Sequence, residues 1–192
     1  MTDPADSDRA PPGAPPEQAP PARALNRVTT EYQPVQDRVR LAGDPGDGSV
    51  LVLWLTQRLL RQLVPQLLEW LQKQDTADLP GGDELLHSAR QQSATRRLGD
   101  ADAAPVVAAE ARAEWLVTAV DVQQRPEVLR LIFRAPQQHR ERIVLDLRPL
   151  ALRQWLHIVM LAYARAAWPL DVWPEWMREQ LPTKRPQQPV LH

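Results

Sequence analysis

The chain has 192 residues, 43% of them hydrophobic and 24% charged, with a net charge of −1 and no cysteine. The lack of cysteine excludes disulfides, thiolate metal sites and cysteine nucleophiles. The near-neutral balance argues against a domain whose main partner is duplex phosphate.

Of the 20 prolines, 12 crowd the first 21 and the last 24 residues. Residues 1–24 hold Pro, Ala, Asp and Gln with no aromatic and no aliphatic side chain larger than alanine, too little apolar surface to offset the entropy of ordering. A disordered tail is expected there, and another over 182–192. Residues 1–24 contain no basic segment followed by an apolar stretch, so no secretory signal is read. The apolar run Val50–Leu55 is far too short for a membrane span. The expectation is a cytoplasmic, bacterial protein whose single folded domain covers 25–181.

Order begins near Leu25. Val28–Tyr32 and Asp37–Ala42 are strand candidates separated by Gln33-Pro34. In the second, Val39 and Leu41 alternate with Arg38 and Arg40, the two-residue period of a half-buried strand. The turn-rich run 43–48 (GDPGDG) reads as a hairpin loop, and Ser49–Leu55 as a more central strand. Thr56 stands where a helix N-cap belongs. Leu59, Leu60, Leu63, Val64, Leu67, Leu68 and Leu71 make one apolar face of the helix that follows, with Arg61 on its polar side and Pro65 expected to kink it.

Residues 74–113 read as a helical connector laid on the surface. Asp83 opens a helix to about Leu98 with a thin apolar stripe, and Pro105 starts a short alanine-rich helix up to Ala113. Glu114–Val122, Glu127–Arg134 and Arg142–Leu147 are strand candidates. Pro149 is placed to begin a helix, apolar nearly all round, that runs to about Ala167.

The two halves match. Val52-Leu53-Trp54-Leu55 aligns with Val144-Leu145-Asp146-Leu147, and Leu60-Arg61-Gln62 with Leu152-Arg153-Gln154, at one offset of 92 that also sets Val39 on Leu131. The fold class expected is α+β: two pseudo-repeated β-β-β-α units, about 25–73 and 114–167, forming a mainly antiparallel sheet covered by two long helices. A Trp-rich segment follows over 168–181.

No constellation for catalysis, metal or cofactor stands out. His87 lies in the connector, His139 in a loop and His192 at the terminus, while His157, in the buried helix, reads as a core histidine. Ser7, Ser49, Ser88 and Ser93 lie outside any nucleophile elbow, and no glycine loop cradles phosphate. The expectation is a non-enzymatic accessory protein without cofactor or metal: an assembly factor, adaptor or secretion-type chaperone that binds another protein. Its contact residues are drawn from Trp168, Trp173 and Trp176, since tryptophan is enriched at interface hot spots. Burial of that segment in the core is the competing reading, and the mixed expectation is that Trp168 is buried while Trp173 or Trp176 is partly exposed. The alternative function is single-stranded nucleic-acid binding on an arginine-rich sheet face of Arg38, Arg40, Trp54, Arg130, Arg134 and Arg142. An enzyme whose site forms across a homodimer interface is the third reading.

Overall fold

The structure is a computed structural model, and it describes residues 22–76, 83–99, 104–135 and 142–181. The tails expected over residues 1–21 and 182–192 lie outside the described residues, as does His139.

The fold is α+β with two four-stranded mixed sheets. Strands β2 (Arg27–Gln33), β3 (Arg38–Asp44) and β4 (Val50–Leu55) form an antiparallel meander, and β6 (Ala119–Gln124), β7 (Leu129–Arg134) and β8 (Arg142–Leu147) form a second. Each meander gains a fourth strand from the other half of the chain. β1 (Ala22–Ala24) runs parallel to β8, and β5 (Ala111–Leu116) runs parallel to β4. Residues expected to be the end of a tail, 22–24, are therefore a strand. The single strand expected over 114–122 is divided at 117–118 between the two sheets. The short helix expected from Pro105 is instead one 3-10 turn, Ala108–Glu110, leading into β5.

The alternation in the strands sets the register. Val39 pairs with Leu55 and Leu41 with Leu53; Leu129 pairs with Leu147, Leu131 with Leu145 and Phe133 with Ile143. All ten side chains belong to one apolar core shared by both sheets. Gly43 lies where a Cβ would stand 2.6 Å from Leu25 Cδ1, so its bare backbone leaves room for that core leucine. In the turn that follows, Gly46 and Gly48 take φ of 87° and 76°, left-handed geometry that glycine adopts without strain.

Helix α1 (Gln57–Thr76) starts as expected, with the Leu59 amide donating to Thr56 Oγ1 at 3.2 Å. Pro65 is exposed and the helix continues past it. Leu60, Leu63, Val64, Leu67, Leu68, Trp70 and Leu71 are buried. Helix α3 (Pro149–Arg165) buries Leu152, Trp155, Leu156, Val159, Met160 and Tyr163 on the same core, and Trp155 Nε1 donates to Thr30 Oγ1 at 3.1 Å.

Helix α2 (Asp83–Gly99) departs from the surface-laid connector expected. It packs on α3, with His87, Gln91 and Ala94 all buried, while Leu85 is 86% exposed. A four-and-three spacing of a histidine, a glutamine and an alanine makes a packing stripe that a search for apolar residues passes over. Gln91 Nε2 donates to the Arg153 carbonyl at 3.2 Å and Gln154 Nε2 to the Ala94 carbonyl at 3.3 Å.

Candidate functional site

The C-terminal segment after α3 is built from its tryptophans. Trp168, Trp173 and Trp176 are 7%, 2% and 4% exposed and belong to the core. The expectation that Trp173 or Trp176 is partly exposed is thus corrected. Tyr163 meets Trp168 and Trp173 edge-on at 5.0 and 5.5 Å, and Tyr32 meets Trp168 at 5.6 Å. Burial pushes the Tyr163 hydroxyl pKa up to about 12. Trp168 Nε1 donates to Asp37 Oδ1 at 3.0 Å, fixing the segment to the β2–β3 turn.

This segment separates two clefts. The first, about 670 Å³, opens beside the C-terminal end of α3 and is walled by Leu161, Ala164, Trp168, Leu170 and Leu181, with Arg165 as its charged residue. Helix α3 ends there in a Schellman turn: the Trp168 amide donates to the Tyr163 carbonyl at 3.0 Å and that of Ala167 to the Ala164 carbonyl at 3.3 Å. The left-handed residue of that turn is Ala167, φ 55°, where glycine is usual. An alanine there is strained, and it is one of the residues that line the cleft.

The second cleft, about 550 Å³, lies between the end of α1, the start of α2 and the short helix α4 (Glu175–Arg178). Beside it sits a buried polar cluster that the sequence did not reveal. Asp75, at the end of α1, binds Arg153 of α3, Arg90 of α2 and Nδ1 of His87. Asp75, His87 and Arg153 are 3–4% exposed. Burial alone would raise the Asp75 pKa, but the bond from Arg90 and the charge of Arg153 outweigh it and hold the carboxyl below its ordinary value. The His87 ring stacks on Trp176 at 5.5 Å, and the Arg153 guanidinium lies 5.7 Å from the centre of the same indole. Three helices and the C-terminal segment thus converge on one carboxylate. His157, by contrast, is a core histidine; burial lowers its pKa, and Nδ1 meets no hydrogen-bond partner among the described residues.

The arginines of the alternative nucleic-acid face lie on two sheets. Arg38, Arg40 and Trp54 lie on the β2–β5 sheet, and Arg130, Arg134 and Arg142 on the other. Arg40 Nε donates to Glu31 at 3.1 Å, Arg130 reaches Asp146 through two bonds of 2.7 Å, and Arg134 Nε donates to Asp121 at 2.6 Å. Trp54 donates to Glu114 at 2.9 Å and is half-buried beside Val106. Arg40, Arg130 and Arg134 each pair with a carboxylate on their own sheet, a pattern legible only once the register is known.

Among the described residues no group of three or more His, Cys, Asp or Glu side chains could hold a metal ion, and no helix is long and apolar enough to cross a membrane. No family model, curated protein or solved structure matches the chain.

Proposed function

We propose that this chain is an accessory protein that binds another protein, as an adaptor, assembly factor or chaperone, and that the apolar cleft at the end of α3 is its contact surface. The observation that carries this reading is the strained Ala167 in the wall of that cleft. A non-glycine residue held in left-handed geometry is a cost that clusters at functional positions. The walls offer leucine and alanine surface with Arg165 at the side, so the complementary segment presents apolar side chains next to a carboxylate. The tryptophans contribute by holding the walls in place, with Trp168 alone lining this cleft.

A photo-crosslinking residue placed at Leu170, in the native host, tests this. The expected product is a discrete crosslinked protein that disappears in the Arg165→Glu background and is not formed from position 85 on α2. The same products from both positions, or none from Leu170, would remove the cleft as a contact surface.

We also infer that the two halves are copies of one unit consisting of a lead strand, a three-stranded meander and a helix. The support is a repeated crossing. The Leu25 amide donates to β8 (Val144) and that of Asn26 to β3 (Asp44); 92 residues on, the Val117 amide donates to β4 (Trp54) and that of Thr118 to β7 (Arg134). If β4 and β8 correspond at that offset, the pairings Val39–Leu55 and Leu129–Leu147 make Leu129, not Leu131, the counterpart of Val39.

A further inference from the structure

The second cleft offers a different chemistry, independent of the apolar one. His87 is 4% exposed, borders the cleft, and spends Nδ1 on Asp75. A carboxylate acts as acceptor, so Nδ1–H donates, and in the neutral ring Nε2 carries the lone pair. No described residue offers Nε2 a partner. Asp75 also binds Arg90 and Arg153. Glu84, one helical turn before His87, lines the same cleft and forms no ion pair among the described residues, and Glu69 faces it while bound to Lys73 at 2.7 Å. The cleft is thus lined by the His87 ring, the Trp176 indole, Gln72, the Glu69–Lys73 pair and the Glu84 carboxylate.

We propose that this cleft binds a protonated amino or guanidino group, with His87 Nε2 accepting a hydrogen bond from it and Glu84 supplying the counter-charge. At about 550 Å³ the space suits an organic cation the size of an amino-acid side chain. The cation is either a free amine or a lysine or arginine side chain of a bound protein, and both present the same donor.

The full chain with 15N-labelled histidine separates these outcomes by NMR. Before any ligand, His87 should show the Nδ1–H tautomer. Agmatine, as the free cation, and an acetylated, amidated Gly-Arg-Gly peptide are then titrated in. The expected result is a saturable shift of His87 Nε2, with affinity at least about tenfold weaker in Glu84→Gln, the value of one charge-assisted bond. Tighter binding of the peptide assigns the site to a protein side chain, and tighter binding of agmatine to a free ligand. An Nε2–H tautomer, no saturable shift up to about 10 mM of either probe, or equal affinity in Glu84→Gln would overturn the proposal. Glu84 is exposed, so its substitution leaves the fold intact and the comparison readable.

Discussion

Arg61 and Arg153 are each the fifth residue of a helix, and each is bound by an aspartate from the other half of the chain. Arg61 of α1 reaches Asp171 beyond α3 through two bonds of 2.9 and 2.7 Å, and Arg153 of α3 reaches Asp75 at the end of α1. The Leu-Arg-Gln triplet shared by the two helices thus marks a reciprocal bond between halves. The surroundings differ. The Arg61–Asp171 pair is largely open to water, whereas Arg153 and Asp75 are buried.

That difference fixes the outcome of removing each aspartate. Asp75→Asn leaves Arg153 buried without its counter-charge and should cost about 3–5 kcal/mol. Asp171→Asn removes a solvent-screened partner and should leave the melting curve close to that of the native chain. Denaturant melts of the two variants check this; equal losses would mean that the buried cluster is not what joins the helices.

Replacing Trp173 or Trp176 with alanine opens a large cavity in the core, since both side chains are at most 4% exposed. Each substitution should cost about 3–5 kcal/mol and should lower Tm by about 6–20 °C. A variant that melts like the native chain would place these rings outside the core.

Ala167→Gly should stabilise the protein by about 0.5–1 kcal/mol, because glycine takes the left-handed position without the Cβ clash. The increase would be read as a rise in Tm or denaturant midpoint. A loss of stability would show that the alanine methyl contributes more by packing than it costs in strain.

His157 sets a pH dependence. Its pKa is lowered by burial from the ordinary 6.5, so the folded state resists a proton that the unfolded chain accepts. The stability tied to the neutral ring is fully present above about pH 6.5. It is lost as pH falls from there through the lowered folded value, below which no further loss arises from this group. His157→Leu should flatten the fall in stability below about pH 6.5 and leave neutral-pH stability equal or higher, since an unpartnered buried nitrogen is also removed. An unchanged slope would assign the acid sensitivity to other groups.

Strand alternation, the Thr56 cap, Pro149 at the start of α3 and the apolar face of α1 were legible because each leaves a local periodic mark. β1 left none: Ala22–Ala24 has no apolar pattern, and it is a strand only because β8 offers an open edge. For the same reason the break between β5 and β6 was hidden, since both strands alternate and only pairing with different sheets separates them. The Asp75 cluster was out of reach because its members come from three helices and its central carboxylate looks like any helix-terminal aspartate. His87 and Gln91 read as solvent-facing residues when scored by polarity, although they form the buried stripe of α2.

The exchange of lead strands has a consequence for how the chain is made. β1 leaves the ribosome before every other described element, but its edge partner β8 is the last strand to emerge. The first half cannot complete the structure by itself, and β8 gains its parallel neighbour only when the chain is nearly finished. Pairings so distant in sequence close slowly, because the entropy of a long loop is lost before the contact returns any free energy. During synthesis the apolar meander β2–β4 must wait for β5 on one side, as β8 later draws in β1 on the other. The nascent chain therefore carries exposed strand edges for most of its translation, and folding yield should depend on elongation rate and on chaperones that shield such edges.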